Sequence, residues 1–239
     1  MLVLAIDTAT ADLIVGVAAY NGEVGPGGTG IDVLAESVMT TRAHAEHLVP
    51  AAATVLDRAG VSFAQLDAVV VGCGPGPFTG LRVGMASASA FGQALNIPVH
   101  GVVTHDAAAV LAGGSRVLVV TDARRREVYA ALYEGGQRLA GPEVCAPADI
   151  ARVFGELSTA PLDVLSVPAH LADQVQHALG QQSVPVGEVR YVAPSTQGLI
   201  TAADLSASPA PLVPHYLRRP DAQEPAPKPK SPAIPDVAH

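Results

Sequence analysis

The sequence has 239 residues, is 49% hydrophobic and carries a formal net charge of −8 at pH 7. This length allows one large domain or two small ones, and the negative charge argues against a strong nucleic-acid binder. No uninterrupted apolar run reaches the roughly 18 residues of a membrane span, so no membrane partner is expected. The N-terminus meets Asp7 early and lacks a basic stretch, which argues against a signal peptide and predicts a cytoplasmic protein.

The first third of the chain predicts a three-stranded meander followed by a helix. Apolar strands are expected at residues 2–6, 13–20 and 32–39. A flexible hairpin extension is expected at 25–30. Residues 44–59 have helical periodicity, and Gly60 is the expected stop. Pro50 lies inside this pattern and predicts either a kink or a late start of the helix.

Groups that could hold a metal or form a disulfide are sparse. His44 and His47 lie three residues apart in the order HAEH without an evident third ligand, which favours a surface helix over a metal site. Cys73 and Cys145 lack the spacing of a zinc or redox pair. Two free thiols are therefore expected.

The segment Gly72–Leu95 combines a glycine-rich loop with a regular helical pattern. It follows a buried strand and has Thr79 as the expected N-cap. Small residues recur every four positions at Gly80, Gly84, Ala88 and Gly92. This stripe allows two interpretations: the helix lies close on its own sheet, or the stripe receives a helix from another chain. The loop lacks a P-loop lysine, since the two lysines of the chain are at 228 and 230, which excludes a Walker-type nucleotidase.

The second half repeats the plan of the first. The stretch at 116–140 has the same order as 2–24: an apolar strand, an aspartate, a polar turn, a second strand ending in tyrosine, and a third strand. Asp122 corresponds to Asp7 in this repeat. Further helices are expected at 104–111, 148–157, 171–179 and 196–205, and strands at 99–103, 162–167 and 189–192.

This duplicated plan resembles the actin, hexokinase and heat-shock ATPase superfamily, in which two aspartate-bearing hairpins grip nucleotide phosphates from opposite lobes. More narrowly, several stretches together are similar to the TsaB (YeaZ) family of tRNA threonylcarbamoyladenosine biosynthesis. They are residues 5–10 (AIDTAT), 44–50 (HAEHLVP), 74–84 (GPGPFTGLRVG), 122–129 (DARRREVY) and 216–222 (YLRRPDA).

The resemblance implies an α/β fold of two duplicated actin/hexokinase-like lobes, each a mixed sheet that opens with a three-stranded meander and is flanked by helices. The expected boundaries are 1–104 for the N-terminal lobe and 105–217 for the C-terminal lobe. A proline-rich, disordered tail is expected at 218–239.

The function implied is that of a non-catalytic partner subunit. It would bind and activate a catalytic paralogue, TsaD, which transfers a threonylcarbamoyl group to the adenosine 3′ of the anticodon. A TsaE-like ATPase completes the complex, and this chain would associate with tRNA only indirectly, through that complex. The isolated chain would form a homodimer. The residues implied in partner binding are His44, His47, Leu48, Gly80, Gly84, Ala88 and Gly92. Bulk at Gly84 or Ala88 is expected to abolish pairing while leaving the isolated fold intact.

A vestigial nucleotide site is implied at Asp7, Thr8, Thr10 and Asp122, and no catalytic residue is carried over. The methyl group of Ala9, which stands where superfamily kinases have glycine, would crowd a phosphate, so at most weak ATP or ADP binding and no required cofactor are expected. Thr104 and Ala108 occupy the positions of the paralogue's metal-binding histidines, so no metal is expected.

Two alternatives remain open from the sequence. Asp7 and Asp122 favour a superfamily enzyme, either a small-molecule kinase or a metallopeptidase. The second alternative is a tRNA-binding module that uses arginines 124–126 together with Arg218 and Arg219. A run of arginines at a turn is usually a solvated hairpin tip, and the acidic total weakens this reading.

Overall fold

The computed structural model describes residues 1–22, 30–155, 157 and 160–218. Apart from residues 30 and 218, the expected hairpin extension at 25–30 and the expected tail at 218–239 lie outside the described residues. Within the described part of the chain, no helix combines the length and apolar character needed to cross a membrane.

The first lobe is a five-stranded mixed sheet. Its strands are β1 (Leu2–Asp7), β2 (Asp12–Tyr20), β3 (Ile31–Thr40), β4 (Ala68–Gly72) and β5 (Val99–Val102). The spatial order is β3-β2-β1-β4-β5, in which the first three strands are antiparallel and β4 and β5 run parallel to β1. The predicted meander is therefore confirmed.

Two helices cover one face of this sheet. They are α1 (His44–Ala59) and α2 (Phe78–Leu95). Helix α1 has the predicted bounds and ends at Gly60, whose φ of 68° suits a residue without a Cβ. A late start at Pro50 is wrong because the helix begins at His44. Thr79 is also not the N-cap of α2, since that helix begins one residue before it.

The second lobe repeats the same sheet order. Its strands are β6 (Arg116–Ala123), β7 (Glu127–Glu134), β8 (Gln137–Cys145), β9 (Leu162–Ser166) and β10 (Val186–Arg190). The order β10-β9-β6-β7-β8 and the pairing directions match those of the first sheet, which confirms the duplication. The helices on its outer face are α4 (Ile150–Val153) and α5 (Ala169–Gln181).

Helices α3 (Thr104–Ala112) and α6 (Thr196–Ala202) pack on the inner faces of the sheets. Ala107 of α3, with Leu199 and Ile200 of α6, packs against the first sheet. Ala108 and Ala112 of α3 pack against the second sheet. Successive positions of one short helix therefore contribute to the cores of both lobes.

The end of the described chain returns to the first lobe, which differs from the expected lobe boundary at 217. The N–H of Thr196 donates to the Glu36 carboxylate at 2.7 Å, and the N–H of His215 donates to the Cys73 carbonyl at 2.9 Å. Leu212 packs against the core between the first sheet and α1/α2. The second lobe is thus an insertion between the first lobe's strands and its last segment.

Candidate functional site

The glycine-rich loop closes over the first aspartate-bearing hairpin. A Cβ atom at Gly72 would overlap the Asp7 carboxylate, and one at Gly76 would overlap the Ala9 carbonyl. Gly76 itself is buried, and Ala9 is only 3% exposed. The glycines are therefore required by the close approach of loop and hairpin.

Asp7 is completely buried and is held by two neutral donors. Its carboxylate accepts hydrogen bonds from the Ala9 N–H and from Thr104 Oγ1, each at 2.7 Å. Burial raises the pKa of Asp7 to about 6, although these two hydrogen bonds oppose the change. The side chain connects the end of β1 to the start of α3 and is shielded from solvent.

Two threonines of the same hairpin, predicted with Asp7 as a vestigial nucleotide site, also make local contacts. The Thr8 hydroxyl is buried and donates to the Gly80 carbonyl at 2.8 Å. Thr10 is half-buried, and its hydroxyl accepts from the Asp12 N–H at 3.2 Å. Both hydroxyls therefore stabilise the turn and its contact with α2.

The stripe of small residues on α2, which the sequence assigned to partner binding, faces the protein's own sheet. Cβ atoms at Gly80 and Gly84 would collide with Thr8, and one at Gly92 would collide with Val99. Ala88 is fully buried. Bulk at Gly84 or Ala88 should therefore perturb the isolated fold, in contrast to the expectation from the sequence.

The residues of α1 that were assigned to partner binding are only partly at the surface. Leu48 is fully buried in the core beneath α1 and is corrected to a packing residue. His44 and His47 are half-buried. Burial lowers the pKa of His44, opposed by the Thr10 and Asp12 carbonyls and the Asp12 charge. No group of three or more His, Cys, Asp or Glu residues in the described ranges could hold a metal ion.

The outward face of α2 forms an open groove with the last described segment. It has a volume of about 320 Å³ and is lined by Arg82, Met85, Ala86, Ser89, Leu212 and Tyr216. The rings of Phe78 and Tyr216 lie 4.8 Å apart, and the Arg82 guanidinium lies 4.1 Å above the Phe78 ring. Val49 on neighbouring α1 is 52% exposed. This apolar surface has a polar rim and could receive a partner.

The second aspartate-bearing hairpin is open to solvent. The side chain of Asp122 is 60% exposed and accepts from His170 Nε2 at 2.9 Å. The three residues that follow Ala123 are Arg124, Arg125 and Arg126, all exposed. Asp7 and Asp122, predicted as one site, are therefore engaged separately, one by a buried threonine and the other by a surface histidine.

A buried polar junction between the lobes was missed by the sequence reasoning. His105 of α3 is fully buried, and its Nε2 lies 2.8 Å from Thr121 Oγ1 of β6. Burial, with the nearby charges of Arg138 and His215, lowers the pKa of His105 to about 3. Next to it the Tyr133 hydroxyl donates to Asp106 at 2.7 Å. The only signal in the sequence was a lone histidine in an alanine-rich helix.

The chain is similar to known proteins in sequence and in fold. The family model described as "TsaD: tRNA N6-adenosine threonylcarbamoyltransferase" matches residues 34–163. An uncharacterized protein from Mycobacterium leprae is 48% identical over 93% of this chain and 56% of its own length. The tRNA threonylcarbamoyladenosine biosynthesis protein TsaB from Escherichia coli is 36% identical over 56% of this chain and 55% of its own length. The matches thus span just over half of each of these two relatives.

Among solved structures, YeaZ from Pseudomonas aeruginosa has a TM-score of 0.61 and 24% sequence identity. The superposition covers 84% of this chain and 89% of that one. At this identity the likeness bears on the fold alone, and the two-lobed actin/hexokinase-like architecture predicted from the sequence is confirmed.

Proposed function

Because the chain belongs to the TsaB (YeaZ) family, we propose that it functions in the biosynthesis of threonylcarbamoyladenosine in tRNA, as a non-catalytic subunit that binds and activates a TsaD-like transferase. In this proposal the transferase carries out the reaction on the adenosine 3′ of the anticodon. A TsaE-like ATPase joins the assembly, and the isolated chain pairs with itself through the same surface.

The observation that carries the proposal is the exposed apolar surface on the outer faces of α1 and α2. Its groove is lined mainly by apolar groups, and Val49 on the adjacent helix α1 is 52% exposed. Burying such a surface against a partner would contribute about 25 cal/mol for each Å² of apolar area. The proposal keeps α1 and α2 as the pairing helices that the family resemblance implies. It assigns the contact to residues on the exposed side of α2, opposite the buried stripe of small residues.

The environment of Asp7 supports a subunit without nucleotide chemistry of its own. A carboxylate that binds a nucleotide has to be reachable from solvent, whereas Asp7 is completely buried beside the glycine loop and accepts a hydrogen bond from Thr104. We therefore assign Asp7 a structural role, and the proposal requires no bound ATP, ADP or metal.

The test is co-purification with the transferase of the same organism, followed by reconstitution. Ala86→Asp and Val49→Asp each place a charge on the proposed surface. Because an unpaired charge buried at an interface is costly, we expect at least about a tenfold loss of affinity with an unchanged melting temperature. Leu139→Asp is the control, since Leu139 is 47% exposed on β8 of the second lobe.

Reconstitution then measures threonylcarbamoyl transfer to tRNA with and without this protein. We expect transfer to depend on the wild-type chain and on the Leu139→Asp variant, and to fall with Ala86→Asp in proportion to lost binding. Transfer that proceeds equally well without the protein would contradict the proposal.

A further inference from the structure

The tip of the second hairpin presents three consecutive arginines. Arg124, Arg125 and Arg126 connect β6 to β7 between the paired residues Ala123 and Glu127. All three arginines are exposed. A long cationic side chain at each position of a three-residue loop is an unusual choice, because such loops favour glycine, asparagine and aspartate.

The backbone of this loop makes the choice more unusual. Arg125 and Arg126 have φ values of 67° and 60°, in the left-handed region that disfavours residues with a Cβ. Glycine at either position would form the same turn without that strain. Local sequence that opposes local structure in this way is expected where the side chains themselves have a role.

The acidic neighbours of the tip are already engaged. Glu127 forms an ion pair with Arg218, which also donates to the Arg124 carbonyl. Asp122 faces His170. The tip therefore presents three arginines beside the Glu127–Arg218 ion pair, on a chain whose formal net charge is −8.

We propose that the arginine tip, defined as Arg124, Arg125 and Arg126, contacts the phosphate backbone of RNA. The planar guanidinium donates paired hydrogen bonds to phosphate oxygens, and three on one loop match a repeating polyanion. The acidic remainder of the protein repels RNA, so the tip serves as a single orienting contact. The identification of this RNA as tRNA rests on the proposed function.

The experiment is a titration of unmodified, fluorescently labelled tRNA at several salt concentrations between about 50 and 200 mM. It uses the full chain alone and the full chain together with the TsaD-like transferase. The test variant is Arg124→Gln with Arg126→Gln, and Arg124→Lys with Arg126→Lys retains the charge. The control is Arg152→Gln, which removes one exposed arginine from α4.

We expect the double glutamine variant to bind tRNA about tenfold more weakly and to lower the slope of log affinity against log salt by about 1 to 2. The lysine variant should keep the wild-type slope, and Arg152→Gln should stay within twofold of wild type. Melting temperatures of all variants establish that the fold is intact.

Binding of tRNA by the double glutamine variant within twofold of wild type would overturn the proposal. A loss of transferase binding with unchanged tRNA affinity would also overturn it and assign the tip to a protein contact. Failure of the wild-type chain to bind the transferase would contradict the proposed function instead, while the titration of the chain alone would still test the tip. The absence of tRNA binding in both formats would overturn the proposal as well.

Discussion

The two aspartate-bearing hairpins share one sequence plan but have opposite environments. The first, at the β1–β2 turn, is buried beneath the glycine loop and α2, and its aspartate bonds to Thr104. The second, at the β6–β7 turn, is exposed, and its aspartate faces His170 at the surface.

The difference shows that the environment of each aspartate depends on the elements packed over its hairpin and not on the hairpin itself. The glycine loop and α2 pack over the first hairpin, whereas the second is open to solvent. In the first lobe, close packing converts a candidate phosphate ligand into a buried structural group with a raised pKa. In the second lobe the same position remains in solvent beside a cationic loop. The duplication therefore leaves one packing hairpin and one surface hairpin.

The largest expected effect comes from separating the first hairpin from α2. Gly84→Val would force a branched side chain against the Thr8 hydroxyl, which is bonded to the Gly80 carbonyl. Overpacking together with loss of this buried hydrogen bond should cost about 3 kcal/mol or more. Urea unfolding of the isolated chain measures this cost.

The control for this change is Ala90→Val, which adds a side chain of the same shape to the exposed side of the same helix. It should cost less than about 0.7 kcal/mol, because only helix propensity changes. Equal costs for the two variants would contradict the close contact between α2 and the first hairpin.

The next largest expected effect is a pH dependence of stability that Asp7 produces and Asp122 does not. The pKa of Asp7 is about 6 in the folded protein, against an unperturbed value of 3.8. The folded state therefore binds more protons between these values, and Asp7 makes stability fall as the pH rises through this window. Asp7→Asn removes the charge, and its side-chain amide can accept from the Ala9 N–H and donate to Thr104 Oγ1, whose hydroxyl changes from donor to acceptor. It should raise the free energy of unfolding by about 2–3 kcal/mol above pH 6 and leave it unchanged near pH 4.

The measurement is the difference between the stability curves of variant and wild type from pH 4 to pH 7. Using the difference removes the opposite contribution of His105, whose pKa is lowered to about 3 and which makes stability rise with pH up to about 6.5. Asp122→Asn is the matched control and should change stability by less than about 0.5 kcal/mol, because its contact with His170 is exposed. If Asp7→Asn changed the free energy of unfolding equally at every pH, the raised pKa of the buried Asp7 carboxyl would be contradicted.

The smallest effect concerns the strain in the second hairpin. Arg126→Gly should stabilise the chain by about 0.5–1 kcal/mol, because relief of the left-handed strain exceeds the extra flexibility that glycine gives the unfolded chain. Thermal unfolding measures this gain. Ser183→Gly is the comparison, since Ser183 also has a positive φ of 56°. A loss of stability for Arg126→Gly would indicate that the arginine side chain itself stabilises the turn.

Much of the architecture could be predicted from the sequence, because its signals are local. Apolar strands, the glycine stop after α1 and the repeat of the meander all depend on neighbouring residues. A capping box at Ser62 and Gln65 also depends on neighbouring residues, and the Ser62 N–H donates to the Gln65 side chain at 2.8 Å. The helix expected at 148–157 was less accurate, because the α-helical part is limited to α4 and is preceded by a 3-10 turn at Pro147–Asp149.

The candidate site was predicted less well. The sequence does not show which elements of the fold pack over the residues of the site. The spacing of Gly80, Gly84, Ala88 and Gly92 correctly indicates a close approach of backbones. That spacing does not say whether the approaching backbone belongs to the same chain. The structure shows that it does, since Thr8 and Val99 occupy the space above the glycines.

The sequence by itself determined the strands, the helices, their duplication and the family resemblance, because hydrophobic period, turn chemistry and motif order are properties of short segments. Only the tertiary structure decided that Asp7 is buried, that Asp122 is exposed, that the small face of α2 points inward and that His105 joins the lobes. Burial depends on contacts between residues far apart in sequence: the Asp7–Thr104 bond spans 97 positions. No local pattern encodes such a contact, so the roles of these residues follow from packing.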